Sequence, residues 1–327
     1  MNGTAAGAGP EALHPPTPRS GIGWPRLGQR RREAIVAYIL ISPWIIGFLA
    51  FILGPMLVSL GLSFFDSDML TYKFVGLNNF RNLFSTDTTR SLFYQSLYNT
   101  AYYVFLTIPL TMTIGFMLAL LLNQKVRGLS TYRVVYYLPA VIPGIAVSML
   151  WLWLFNADFG LFNWLLSLIG IEGPRWLQDP KTAKLALVIM SVWGVGSNML
   201  IFLAGLQGIP TELYEASTID GAGAVRHLRH ITLPMMSPTL FFVLVTDMIW
   251  TFQVFTSAYV MTEGGPANAT LMYVLYLYNL AFKQYRFGFA SALAWVFFMI
   301  ILVMTALMFR SSSVWVYYET EIGGKRK

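Results

Sequence analysis

The chain has 327 residues, of which 56% are hydrophobic and only 11% charged, and Lys and Arg outnumber Asp and Glu by 22 to 15. Soluble domains carry about 25% charged residues, so this composition excludes a surface that could keep the chain in water. There is no cysteine and there are three scattered histidines, which excludes disulfides, thiolate metal sites and thiol nucleophiles and leaves little for a metal cluster.

Residues 1–33 are rich in Gly, Pro and Ala and close on RLGQRRR. No short apolar core with a small-residue cleavage site follows, so the segment reads as a basic, disordered tail and not as a cleaved signal. Six apolar blocks then recur at 35–65, 99–122, 135–155, 185–206, 239–261 and 289–308, each able to supply the roughly 20 residues that cross a bilayer as helix. The expectation is an all-α polytopic membrane protein with six transmembrane helices over 34–310. Residues 311–327 read as a second tail. With the first residue inside, the inner segments hold 14 of the 22 Lys and Arg, and the short loop 123–134 has three bases and no acid. That bias places both termini in the cytoplasm. The basic balance belongs to the inner membrane face, so nucleic acid is not an expected partner.

Within the third block Trp151 and Trp153 read as interfacial belt anchors. The fourth carries Ser191, Gly194, Asn198 and Gly205 at helical spacing, a pattern of close helix packing in which Asn198 is a candidate solute contact. The tripeptides at Asn2 and Asn268 match the glycosylation acceptor pattern, which three residues meet readily by chance.

Between the fourth and fifth blocks, in the loop 207–238, lies EASTIDGAGAVRHLRHITLP (215–234), with two acids, two arginines, two histidines and two glycines. Pro210 ends the preceding helix and Thr211 is placed to cap a new one. Glu212 and Glu215 fall in its first turns, where the helix dipole favours acids. Gly221 and Gly223 allow a bend. The basic second half forms a second short helix, and Pro234 permits a turn into the fifth span. Physics alone leaves two readings open, a docking element for another protein and an interfacial anchor helix. His227 and His230, flanked by arginines, read as surface or headgroup contacts.

The fifth block holds Asp247, the one formally charged residue deep in any of the six. An ionisable group at that depth is expected to face the bundle interior or water. On a wheel at about 100° per residue, Thr246, Asp247, Trp250, Thr251 and Gln253 share an arc of roughly 160°. Phe242, Leu244, Val245, Met248, Ile249, Phe252 and Phe255 are assigned to the other side. Hydroxyls, a carboxylate, an amide and an indole suit a sugar, whose hydroxyls need partners and whose ring faces stack on aromatics. The alternative is that Asp247 pairs with a residue of a partner subunit and holds the bundle together.

The loop resembles the cytoplasmic signature of permease subunits of binding-protein-dependent ABC importers: E-A-A, three residues, G, nine residues, I-x-L-P. Here it falls on Glu215, Ala216, Ser217, Gly221, Ile231, Leu233 and Pro234, with Asp220 before the glycine; Ser217 stands where alanine is usual. FVGLNNF (74–80), NTAYYV (99–104), YYLPAVIP (136–143) and MTEGGPANAT (261–270) resemble the carbohydrate-type branch, which serves maltose-like oligosaccharides, other sugars and glycerol-3-phosphate. The resemblance implies the importer permease fold, a second homologous permease, two ATP-binding subunits, an extracytoplasmic solute-binding protein and residence in a prokaryotic plasma membrane. It implies that residues 215–234 grip the ATPase, with Glu215 making a charge-assisted contact. The chain has no G-x-x-x-x-G-K-[ST] phosphate loop, so it is expected to be no enzyme and to hold no cofactor, with ATP and Mg bound by the partner. A single-chain secondary transporter for a small polar solute is the rival. Such proteins commonly show inverted repeats, and none is evident here.

Overall fold

The computed structural model describes residues 28–68, 70–85, 87–124 and 127–317. Most of the basic tail, Asn2, Lys125 and the final Lys325, Arg326 and Lys327 lie outside the described residues.

The chain divides into two units, Met1–Leu57 and Val58–Lys327. In the first, α1 (Gln29–Phe48) is followed by a π turn at Leu49–Leu53. Its apolar side chains Ile39, Leu40, Trp44 and Phe51 are exposed, which suits lipid or another membrane protein and not water.

The second unit starts within α2 (Gly54–Leu62) and continues through a small antiparallel hairpin, β1 (Phe65–Ser67) and β2 (Tyr72–Phe74). Asp68 closes the hairpin by accepting from the amides of Leu70 at 2.8 Å and Thr71 at 2.7 Å. These bonds hold its carboxyl below the ordinary carboxylate range. Then come α3 (Asn78–Ser85), the long α4 (Asp87–Leu122), α5 (Leu129–Val141), α6 (Gly144–Leu154), α7 (Leu161–Leu168), α8 (Pro180–Val192) and α9 (Gly196–Gln207). Asp179 caps α8 by accepting from the Lys181 amide at 2.9 Å, with Pro180 at the first helical position, where a missing N–H costs nothing.

Four helical stretches are unbroken and apolar enough to cross a membrane: Arg31–Leu62, Ser91–Leu122, Ala224–Phe252 and Phe287–Trp315. Two bent pairs, α5 with α6 and α8 with α9, bring the number to six. The six expected spans are matched when each bent pair is counted as one, and the third and fourth are then not single rods. The α5–α6 pair bends by 96° because Ile142, ahead of Pro143, takes an extended conformation (φ −73, ψ 133), as the proline ring forces on its predecessor. The α8–α9 pair bends by 45° at the Trp193–Val195 turn. The second span likewise starts well before Asn99.

Helix α4 is the centre of the unit, packed on α8, α9, α12 (Leu233–Phe252) and α14 (Tyr273–Tyr278). One core gathers Val104, Leu187, Phe289, Tyr273 and Phe297, the last two rings stacked at 4.3 Å. A second gathers Ala119, Met199, Phe202, Met236 and Val243. Trp151 belongs to the first, buried between Phe155 and Phe162 at 5.2 and 5.6 Å. It is no belt anchor, because α6 turns this face towards α7; Trp153, two residues on, is exposed.

The motif stretches turn out to lock loops to helices. Asn79 donates to the carbonyls of Ser63 and Phe65 at 2.9 and 2.8 Å. Asn99 donates to those of Asn268 and Leu271, and Thr100 accepts from the Tyr273 amide at 2.8 Å. These bonds join NTAYYV to the end of MTEGGPANAT and the residues just after it. The last helix, α15 (Phe287–Trp315), runs past residue 310, so the expected C-terminal tail begins later. Tyr317 donates its amide to Ser237 at 2.8 Å, tying the end of the described chain to the base of α12.

Gly288 opens α15 with its Cα against the backbone of Phe65; a Cβ there would overlap the Phe65 carbonyl. Gly288→Val is expected to cost about 1–3 kcal/mol or more, since backbone cannot yield as a side chain does. The check is the yield of folded protein after detergent extraction and its melting temperature; a wild-type value for both would count against this packing.

Candidate functional site

Helix α9 ends at Gln207 and α10 covers Thr211–Ile219. Pro210 occupies the cap position at φ −58, ψ 130, the extended geometry a cap needs, so Thr211 is the first helical residue and makes no cap bond. Glu212, Glu215, Ala216 and Asp220 are exposed, whereas Tyr214 and Ser217 turn inward and are half-buried.

Gly221 has φ 76. The Gly221 amide bonds to the Thr218 carbonyl at 3.0 Å and the Ala222 amide to the Ser217 carbonyl at 2.9 Å. This pair of bonds is the Schellman closure, which requires a left-handed residue at Gly221. A Cβ at Gly221 would meet nothing, so the glycine is required by its backbone and not by crowding.

The expected second short helix and turn at Pro234 do not form. Ala224–His227 (α11), a π turn at Leu228–Thr232 and α12 make one continuous helix, Ala224–Phe252. In a regular helix Pro234 would remove a bond and push against the carbonyl one turn back. The π turn widens that stretch, with the Leu233 amide reaching the Leu228 carbonyl. Of the remaining motif positions, Leu233 and Pro234 are exposed, but Ile231 packs into the second core. His227 is also drawn in: its ring stands edge-on to Tyr214 at 5.7 Å and its Nε2 is enclosed. His230 alone stays at the surface. Two side chains escaped the sequence reading. Ile219 is 87% and Val225 79% exposed, one on each side of the Gly221 turn. Their signal was an apolar residue inside an otherwise polar loop.

Beyond the loop, Asn198 of α9 donates to Asp247 of α12 at 2.6 Å. The two candidate path residues are thus bound to each other. They line a cleft of about 340 Å³ together with Trp250 and Thr251, a size within the usual range for small-molecule sites. Tyr103, Thr107 and Thr111 of α4 also line it, with Ser191 of α8 and Ser197 of α9. The α4 hydroxyls were missed, although their four-residue spacing on the second span places them on one helix face.

A second cleft of about 360 Å³, which shares Ser191, Gly194 and Val254 with the first, is lined by Gln253. Gln253 sits past the last residue of α12 and folds back to donate to the Ile249 carbonyl at 2.9 Å. The fifth span stops there, and α13 (Thr256–Thr262) is separate, so the wheel over 239–261 extends too far. Phe242 was assigned to the far side; it is instead exposed, one turn below Thr246. At about 100° per residue it falls only about 20° from Gln253. Met248 and Phe252 are in the core, as expected for the far side. Gly205 meets Met236 and Thr239 closely, so the small-residue stripe of the fourth span packs at that end and opens onto the clefts at Ser191 and Gly194. Trp250 is 73% exposed, and the first cleft is open on that side.

A family profile described as "Binding-protein-dependent transport system inner membrane component" matches residues 111–314. The chain is similar to the "Probable ABC transporter permease protein YesP" of Bacillus subtilis, at 43% identity over 89% of this chain and 94% of the relative. It is similar to the trehalose/maltose transport system permease protein MalF of Thermococcus litoralis, at 35% identity over 84% and 92%. It is similar to the lactose transport system permease protein LacF of Rhizobium radiobacter, at 34% over 87% and 96%. Among solved structures, a chain of a bacterial ABC transporter that imports the acidic polysaccharide alginate superposes with a TM-score of 0.76 at 24% identity, over 88% of this chain and 99% of that one.

Proposed function

The chain belongs to the family of binding-protein-dependent transport system inner membrane components, the permeases of ABC importers, and on that premise we propose its cargo, its pathway and its coupling. The cargo is a sugar or oligosaccharide, with a related polyol phosphate as the wider class. The observation that carries this reading is the Asp247–Asn198 cleft. It gathers a carboxylate, an amide, six hydroxyl side chains and an indole around one cleft of the membrane bundle. The trehalose/maltose and lactose permeases among the relatives support it.

The path is completed by a second, homologous permease facing the exposed Trp250. A solute-binding protein delivers cargo at the outer side, and both termini lie in the cytoplasm of a prokaryotic cell. ATP and Mg are held by two partner ATPases, so this chain is no enzyme. Residues 211–234 dock on one of them. Glu215, Asp220 and the Gly221 turn present the polar contacts, Ala216, Leu233 and Pro234 the close ones, and Ile219 and Val225 the apolar ones. Ser217 and Ile231 shape the element from within. Closure of the ATPases swings the spans between outward-open and inward-open states as a rigid-body change.

The test is uptake of labelled maltose and lactose by vesicles holding the complete complex and its binding protein. ATP-dependent uptake of at least one is expected. Robust ATP-independent uptake by the chain alone would establish the single-chain transporter instead. In the complete complex, Tyr103→Phe and Thr107→Val are expected to lower uptake several-fold, because solute hydroxyls lose their partners at the cost of about 1 kcal/mol each. Met248→Leu should change it little, being a volume-conserving core swap. Equal uptake by all three variants would remove the α4 wall from the path.

A further inference from the structure

The Gly221 turn leaves unexplained what fixes the angle between α10 and the long helix Ala224–Phe252. Packing at the glycines does not fix it, since Cβ atoms built at Gly221 and Gly223 would touch nothing, and the Schellman bonds close the end of α10 without reaching the long helix. One side-chain hydrogen bond spans the turn, and a second anchors its far end within the long helix. The Tyr214 hydroxyl lies 3.0 Å from the Thr232 hydroxyl, and Thr232 Oγ1 donates to the His227 carbonyl at 3.2 Å. A threonine has one hydroxyl proton. Given to the His227 carbonyl, it leaves Tyr214 as the donor to Thr232. The contacts then run from α10 through Thr232 into the first turn of the long helix. Thr232 is buried, and the His227 ring braces Tyr214 edge-on.

We propose that Tyr214 is a positioning residue for transport: with Thr232 and His227 it forms a strut that makes α10 and the helix bearing Asp247 move as one body. Without it, motion of the docked α10 is absorbed at the Gly221–Gly223 turn. ATP is then hydrolysed with less solute moved. This rests on the docking role proposed for residues 211–234. Tyr214→Phe removes the donor and keeps the ring. Thr232→Val removes the relay and keeps the shape, and Thr232→Ser restores the relay.

The experiment uses the complete complex with its binding protein and measures solute moved per ATP hydrolysed, with maltose and lactose as probes. In parallel, because the chain has no cysteine of its own, spin labels at Leu213→Cys and Phe242→Cys report the distance distribution between the two elements. Tyr214→Phe and Thr232→Val are each expected to lower the transport-to-hydrolysis ratio about fivefold, the factor one neutral hydrogen bond carries, and to broaden the distance distribution. The double variant should be no worse than either single one, because both break one relay. Thr232→Ser should hold the wild-type values.

Wild-type ratios and narrow distances in both variants would overturn the strut while leaving the importer reading intact. So would effects that add in the double variant, or a loss of complex yield in Tyr214→Phe, which marks a merely structural role. A wild-type complex without ATP-driven uptake would overturn the importer reading, and the transmitting role with it.

Discussion

Glu215→Lys is expected to leave the protein inserted and folded while abolishing ATP-driven uptake. The side chain is exposed on α10 and the described residues offer it no hydrogen bond, so the fold should lose only the small dipole term of an acid in the first turns of a helix. Its main effect should fall on the ATPase contact. Truncating or reversing one partner of a docked charge pair costs about 2–5 kcal/mol, which is a loss of roughly 30-fold to several thousand-fold in binding at about 1.4 kcal/mol per tenfold. Gly221→Val should reach the same end by another route. At φ 76 a β-branched residue is strained by about 1–2 kcal/mol or more, so the Schellman closure opens and α10 loses its place. The measurement is co-purification of the ATPase with each variant, together with uptake. Wild-type uptake with the ATPase still bound in both would remove this loop from the interface.

The second large effect is expected at Asp247. Asp247→Ala should abolish most uptake while the complex still assembles, and Trp250→Ala should impair it through loss of the exposed ring. The bond from Asn198 adds a way to separate transport from structure that the sequence did not suggest. A hydrogen bond to a charged group contributes about 1.5–3 kcal/mol, and here it joins α9 to α12. If that tie is what matters, Asn198→Ala should lower complex yield as much as Asp247→Ala, and the double variant should be no worse. If the carboxylate serves the solute, the Asp247 variant should lose far more uptake than the Asn198 variant at equal yield. Lost assembly would leave Asp247 a structural residue. Normal yield and uptake in all would mean the cleft is not the path.

Much of the fold was legible because bilayer length is a strong constraint. Six apolar blocks became six spans once each bent pair is counted as one. What could not be read was where a proline yields and where it breaks. Pro143 broke a helix because Ile142 ahead of it could go extended. Pro234 did not, because a π turn absorbed it, and hydropathy carries no sign of that choice. Asp247 and Asn198 were legible singly, each a polar residue in an apolar span; their bond was not, since it depends on how α9 and α12 pack together. The α4 hydroxyls were visible at four-residue spacing, but small hydroxyls are common in packed spans and stood out only when a cleft opened beside them. Trp151 illustrates the reverse case: a tryptophan near a span end reads as interfacial until the chain is seen to fold back over it.

The unbroken helix Ala224–Phe252 has a mechanical consequence. At about 1.5 Å per residue, Asp247 stands roughly 35 Å along it from Ala224. Pivoting such a rod by about 5° at the foot sweeps the carboxylate through about 3 Å, comparable to one hydrogen-bond length. Had Pro234 ended the helix as its sequence suggests, the same push would have been spent at a joint near the membrane surface. The π turn thus sets the gain of the rod: a displacement at the foot that is small on the scale of a side chain becomes, at Asp247, about the length of one hydrogen bond.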